Sequence, residues 1–419
     1  MHPKSVQGGF FYGWVIVLLG FSSLAFAGGI WSGFGVFFKP LLAEFGVARG
    51  RLSLIITVGM IFWAAGAFLA GTLVNRFGAR RLNLFGVALM GLGCLLSSFA
   101  TSAWALFATY SLLVATGTGL ATMTTNAVLV SRWFVRSRGK ALAISIAGYN
   151  AGQLLLVPFS QFLIGAYGWR WTFIIWAGML WGLLAPAVYL FLRESPEKMG
   201  LSPDGAAPSE SGPAKPIDRR IAWIPRGEVR EALRTRSFWL LFASYVACGF
   251  TDFVIYVHFP IFATGIGVSE QTAANAFGLI GGLSIIGVLC MGAWADRIGY
   301  RTPLAMIYAI RCVGILLLGL TDSVVMLFGV VVLYGLFHQA TTPLTPGMSA
   351  LLFGRNPLGT LHGYMLIGHS LGALMGPYAA GATFDVTGSY RLIFFLTAGL
   401  LAGASACCAA IKSPPVKTS

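Results

Sequence analysis

Charge is what this sequence has least of. Only 10% of its 419 residues are charged, and the 13 acidic side chains are outnumbered by 28 lysines and arginines. Soluble domains carry about 25% charged residues, so a chain of this length with a fully water-facing surface is excluded. Histidine is rarer still, at five. The six cysteines (Cys94, Cys248, Cys290, Cys312, Cys407 and Cys408) lie in apolar runs without metal-ligand spacing. They read as small buried hydrophobes, which excludes a zinc module or a disulfide framework. No nucleotide-binding loop or metal-ligand cluster occurs either. That argues against an enzyme, an ATP-driven pump, a cofactor or a resident metal.

What the sequence does have is apolar length. Hydrophobic residues make up 57% of it and the mean hydropathy is +0.79. A membrane span takes about 20 apolar residues, so the chain has room for about twelve. Apolar runs separated by short charged or Gly/Pro-rich turns predict spans near 12–38, 52–74, 82–100, 104–130, 140–165, 171–192, 238–262, 272–294, 303–321, 324–350, 360–384 and 390–411. The first run, from Phe10 to Phe38, is too long for the apolar core of a signal peptide and reads as a span.

The net charge of +15 raises the question of a nucleic-acid partner. With the N-terminus in the cytoplasm, 22 of the 28 basic residues fall in cytoplasmic segments and five (Lys39, Arg49, Arg51, Arg170 and Arg391) outside. One, Arg311, lies within a span. The bias is the positive-inside pattern with both termini cytoplasmic, so the excess is topological and no nucleic acid is expected. The stretch 193–237 carries Pro196, Pro203, Pro208, Pro213, Pro216 and Pro225 among many charges. It reads as a solvated cytoplasmic linker, with a short amphipathic helix near Arg226–Arg236. The expected domains are a six-helix bundle over 1–192, the linker 193–237, and a second six-helix bundle over 238–419.

The two halves overlay. Gly71-Thr-Leu-Val-Asn75-Arg76-Phe-Gly78-Ala-Arg80 matches Gly292-Ala-Trp-Ala-Asp296-Arg297-Ile-Gly299-Tyr-Arg301 at an offset of 221. Gly46-Val47 matches Gly267-Val268, and Arg170 and Phe173 match Arg391 and Phe394, at that same offset. After a one-residue slip Gly139 and Gly152 match Gly359 and Gly372. These matches indicate two copies of one six-helix unit, related by an axis along the membrane normal.

The Gly-x-x-x-Asp-Arg-x-Gly-x-Arg run resembles the signature of the major facilitator superfamily, intact in the second half and with Asn75 for the usual Asp in the first. Other runs resemble its monocarboxylate transporter and oxalate/formate antiporter branch. These are Phe11-Tyr12-Gly13-Trp14, Phe37-Phe38-Lys39, Arg132-Trp133-Phe134 with Arg138-Gly139-Lys140-Ala141, and Gly376-Pro377 with Asp385-Val-Thr-Gly388-Ser-Tyr390. The resemblance implies an all-α membrane protein of twelve transmembrane helices in two pseudo-symmetric bundles. It implies a secondary transporter for a small organic solute, a monocarboxylate or related organic anion, working by rocker-switch alternating access and coupled to protons as a symporter. It would act as a monomer, multi-pass in the plasma (inner) membrane. An exporter of amphipathic or aromatic compounds, or a solute sensor signalling through the linker, stay open as other readings.

The resemblance also assigns roles. Asn75, Arg76, Asp296 and Arg297 would gate the cytoplasmic side; a carboxylate there can cap a helix or pair with an arginine of a neighbouring loop. Spans two and eleven, and five and eight, would meet across the halves. Their small residues (Gly59, Gly66 and Gly71; Gly368, Gly372 and Gly376; Gly148 and Gly152; Gly278, Gly281, Gly282 and Gly287) would form the surface on which the halves rock, the other reading being ordinary tight packing within one half. Spans one, four, seven and ten would line the cavity.

Ionisable groups deep in a membrane are functional candidates by default. Asp252 is the sole acidic residue well inside a predicted span; His338 lies mid-span in ten beside Gln339, and His369 inside span eleven. These are the candidates for substrate binding or proton coupling, histidine because it titrates near neutrality. His258 and His362 lie nearer span ends, and Arg311 lies on peripheral span nine, where structural pairing is the simpler role. Tyr149, Asn150, Gln153, Thr122, Asn126, Tyr256, Tyr334 and Trp31 complete the cavity candidates, although each polar one could equally be an interhelical hydrogen bond. One departure weighs against a simple lactate-like carrier. Where the branch places an arginine and an aspartate on span eight and a lysine on span one, this chain has Val288, Ser284 and Ser32.

Overall fold

The computed structural model describes residues 11–121, 123–205, 226–354 and 358–412. Thr122, the Asn75 side chain and linker residues 206–225 lie outside the described residues. In lipid a spanning segment must satisfy its own backbone, so each long apolar run becomes a helix. In chain order these are α1 (Gly13–Phe45), α2 (Arg49–Phe77), α3 (Ala79–Ser98) and α4 (Ala103–Trp133). The continuous stretch Arg138–Phe191 turns at Gly168, whose φ of 82° and ψ of 165° are not helical, into α5 (138–167) and α6 (169–191). The second half has α7 (Arg236–Gly265), α8 (Glu270–Ile298), α9 (Arg301–Leu320), α10 (Val324–Phe353), α11 (Leu358–Thr387) and α12 (Arg391–Ala410). Helix Arg226–Arg234 precedes α7. Among the described residues the architecture is all-α: 10 helical stretches are long and apolar enough to cross a membrane, α5 and α6 together forming one of them, and the 30-residue α11 stands beside them, against the twelve spans the sequence predicts.

Several helix starts are fixed by hydroxyl caps. Ser102, Thr235, Ser269 and Ser323 each accept from the backbone N–H three residues on, opening α4, α7, α8 and α10. The repeat is visible in the turns. Gly46 and Gly267 have φ of 59° and 88°, Gly78 and Gly299 86° and 89°, and Gly168 and Gly388 82° and 69°. Equivalent corners in the two halves thus need the left-handed backbone that glycine adopts without strain.

The chain divides into two compact units. One holds α1 up to Gly33, α2 from Val58, and α3 to α6. The other holds the helical hairpin Phe34–Thr57 together with the second half. Within the first unit, side chains at Gly148 and Gly152 of α5 would overlap the carbonyls of Phe21 and Ala25 on α1, and one at Gly66 of α2 the carbonyl of Thr116 on α4. Within the second, Gly372 and Gly376 of α11 abut the carbonyls of Val246 and Phe250 on α7, and Gly287 of α8 that of Leu336 on α10. These glycines, expected at a rocking surface, therefore serve close backbone approach inside a unit. Small residues permit that approach wherever two helices lack a hydrophobic drive to associate.

Candidate transport site

About three turns of α7 build the site. Tyr245, Cys248, Asp252 and Tyr256 follow one another at three- and four-residue spacing and so share a face. That face meets Arg311 of α9, Tyr334, His338 and Gln339 of α10, and His369 of α11. The α7–α11 approach is close because Gly249 lies against the His369 carbonyl.

Asp252 is the hub. Its Oδ1 accepts from Arg311 Nη2 at 2.5 Å and lies 3.2 Å from His338 Nδ1. Its Oδ2 lies 3.4 Å from His369 Nε2 and 3.5 Å from Cys248 Sγ. Arg311 is fully buried and spreads its other bonds. Nη2 also reaches Tyr334 Oη at 3.2 Å, and Nη1 reaches Cys248 Sγ at 3.1 Å and the His338 carbonyl at 3.3 Å. That carbonyl is free because α10 breaks at Gln339, and a helix end leaves its last carbonyls without intrahelical partners.

Two charges this deep persist only as a hydrogen-bonded pair. The pair is neutral overall, so the two imidazoles decide the charge of the cluster. The His338 ring lies 5.2 Å from that of Tyr334 and its Nε2 is 3.3 Å from Tyr256 Oη, which also accepts from Gln339 Nε2 at 2.9 Å. His338 is fully buried, whereas the His369 side chain keeps 22% exposure. His369 is thus the open end of the network, with Tyr245 5.0 Å away as a ring contact.

Asp252, His338, His369, Tyr256 and Tyr334 are therefore brought together. Arg311 and Cys248 join them, and sequence reasoning placed neither in the site. A lone buried arginine and a lone buried aspartate in one half were a signal for the first; Cys248 stands one helical turn from Asp252. The remaining cavity candidates lie in the first unit. Trp31 is buried and parallel to Tyr110 at 6.3 Å, and Tyr110 Oη donates to the Ile30 carbonyl at 2.8 Å. Asn126 is buried beside Gly20 with Ser145, Tyr149 abuts Gly28, and Gln153 is fully buried. Asn150 is half-buried. This second group is polar but carries no charge.

The signature turns differ between halves. Asp296 accepts from Tyr300 Oη at 3.1 Å within its own loop, and Arg301 Nε donates to the Ala409 carbonyl at 3.0 Å. Arg76 and Arg297 are exposed. In the first half Glu194 supplies the carboxylate: it accepts from the N–H groups of Ala79 and Arg80 at 3.3 and 2.9 Å and pairs with Arg132 at 2.8 Å. It caps α3 where an anion is favoured at a helix N-terminus.

The Major Facilitator Superfamily model matches residues 20–310 and 283–419. The chain belongs to this superfamily. The transporter is 27% identical to monocarboxylate transporter 13 of Bos taurus over 395 residues, 94% of this chain and 88% of that one. It is 24% identical to human monocarboxylate transporter 2 over 423 residues, 97% and 86% of the two chains. It is 25% identical to the uncharacterized MFS-type transporter YcxA of Bacillus subtilis over 386 residues, 91% and 90%. Among solved structures it resembles a bacterial homolog of the human lysosomal transporter Spinster, with a TM-score of 0.73 at 17% identity over 96% of this chain and 95% of that one. It also resembles a D-xylose–proton symporter, with 0.72 at 17% over 96% and 98%. These structural likenesses establish the fold. The transporter is an integral, multi-pass membrane protein.

Proposed function

We propose that the transporter carries a small organic anion, a monocarboxylate or a close relative, together with a proton. Alternating access by rocking of the two halves, an inner (plasma) membrane location with both termini cytoplasmic, and action as a monomer complete the reading. The Asp252–Arg311–His338–His369 network is the observation that carries it, and the relatives named monocarboxylate transporters support it.

The chemistry follows from charge balance. Arg311 is committed to Asp252, so the resting cluster offers a carboxylate no net positive charge. A proton on His369, the open member, supplies that charge and makes a charge-assisted donor. Proton and anion then favour each other's entry. The tyrosines around the cluster add π-faces that suit an aromatic acid.

Uptake of labelled monocarboxylates into proteoliposomes, with and without an inward proton gradient, tests this. The expected result is saturable uptake that the gradient accelerates. Replacing Asp252 with Asn should reduce gradient-driven uptake while anion exchange survives. Uptake indifferent to the gradient would remove the proton, and transport restricted to uncharged aromatic compounds would favour the exporter reading.

A further inference from the structure

The run Asp385-Val-Thr-Gly388-Ser-Tyr390 takes no part in the Asp252 cluster. It closes α11 and opens α12 on the membrane face opposite the linker, and its side chains grip the hairpin Phe34–Thr57. Asp385 Oδ1 accepts from the backbone N–H of Arg49 at 2.9 Å, and Oδ2 from that of Gly50 at 2.8 Å. These are the first N–H groups of α2, which have no intrahelical partner and sit at the positive end of the helix dipole. A methyl at Gly50 would stand 3.1 Å from Asp385 Oδ2 and 3.2 Å from the Ala382 nitrogen, so glycine makes room for the clasp.

The Arg49 side chain reaches the same helix corner. Its guanidinium lies 3.5 Å from the centroid of the Phe384 ring, and Nη1 donates to Tyr390 Oη at 2.8 Å. Tyr390 Oη is 2.9 Å from Nδ1 of the buried His258. His258 Nε2 is 2.9 Å from the Pro377 carbonyl, which can only accept. Nε2 therefore carries the proton and Nδ1 accepts from Tyr390. Ser53 Oγ, 3.1 Å from His258 Nε2, donates to the Arg49 carbonyl at 2.8 Å. Further out, Lys39 pairs with Glu270 at 2.6 Å.

We propose that Asp385, Arg49, Tyr390 and His258 form a latch that closes the transporter on the face opposite its termini, and that it opens once in each transport cycle. The division of the chain supports this. α1 and α2 belong to one compact unit over most of their length, but between Phe34 and Thr57 they belong to the other. If instead the two six-helix halves of the repeat move as bodies, these helix ends must change partners. The polar contacts lie at helix ends and re-form without repacking a core; beside them Phe38 of the hairpin packs its ring 5.1 Å from that of His258. The inference rests on the alternating access proposed above. Arg49 and Asp385 are positioning residues and touch no solute.

The test is a distance measurement on the full-length transporter in a bilayer. Spin labels are placed at Ala48→Cys and Val386→Cys in a cysteine-depleted background that still transports. The parent should give a short distance. Arg49→Ala and Asp385→Asn should each raise the share of a longer distance about fivefold or more, the lower end of typical coupling strengths. Asp385→Glu, which keeps the charge, should recover most of the short population. An unchanged distribution in folded R49A and D385N protein overturns the proposal. Should those variants not fold, a short bis-maleimide joining positions 48 and 386 serves instead. It should arrest transport, and full transport with the link in place overturns the latch. The distances require no substrate, so a latch-dependent shift without carboxylate uptake would sink the anion reading alone.

Discussion

A guanidinium and a carboxylate buried in the same half of a membrane protein hold each other in place. Asp252 and Arg311 were each legible as intramembrane charges. Their partnership was not, because 59 residues, including the whole of α8, separate them. Arg311 on its peripheral helix reads as a structural group; in the structure it pairs with the carboxylate at the hub of the candidate site. Removing Arg311 takes from the buried Asp252 carboxylate its one fixed cation, so Arg311→Met should destabilise the protein by about 3–5 kcal/mol. Adding Asp252→Asn to Arg311→Met should recover much of that loss. Thermal unfolding in detergent reads both, and an equal or larger loss in the double variant would contradict the pairing argument. A second carboxylate has a pH signature. Burial pushes the Asp204 carboxyl up, but the N–H groups of Arg136 and Val135 and both the hydroxyl and N–H of Ser137 outweigh it, holding the group below its ordinary 3.8. A depressed carboxyl contributes stability that is present above the unfolded value and lost as pH falls through the lower folded one. Hydrogen exchange at the amides of 135–137, corrected for intrinsic rates, should therefore stay slow down to about pH 4 and accelerate below it. Asp204→Asn should be fast at all pH values; a variant as protected as the parent near neutral pH would rule out a role for the Asp204 hydrogen bonds to 135–137.

Among the elements, the helices themselves were readable because lipid leaves an apolar run one solution. The predicted spans 52–74 and 272–294 lie inside α2 and α8, which have equal lengths of 29 residues. The turns were readable as glycines, and the structure adds that matched ones share a left-handed backbone. Helix partners were not readable. A stripe such as Gly148 and Gly152 announces that something comes close, without saying what. Here it is α1, against which Gly152 meets the Ala25 carbonyl. Gly152→Val should accordingly cost about 1–3 kcal/mol by overpacking. Gly178→Val is the control, because a side chain there meets nothing within 4 Å. Equal melting temperatures for the two variants would remove the close-approach argument and return the stripe to a sliding role.

Over the whole molecule, the two halves repeat in fold but not in chemistry. The second carries a carboxylate, a guanidinium and two imidazoles in one cluster; the candidates of the first are amide, hydroxyl and indole groups. Proton binding requires a titratable group, whereas solute recognition requires only donors, acceptors and apolar walls. The repeat thus divides the labour that the proposed coupling demands. Variants of the first half, Asn126→Ala, Asn150→Ala and Gln153→Ala, should raise the KM for the solute and leave the pH dependence of uptake in place. His369→Gln should flatten the pH dependence, because the open proton carrier is gone, while exchange of bound solute continues. Initial uptake rates measured across pH and solute concentration separate the two effects. If Gln153→Ala shifted the pH profile as strongly as His369→Gln, coupling would be spread over both halves, and the neutral polar groups beside α1 would have to be holding the proton through water.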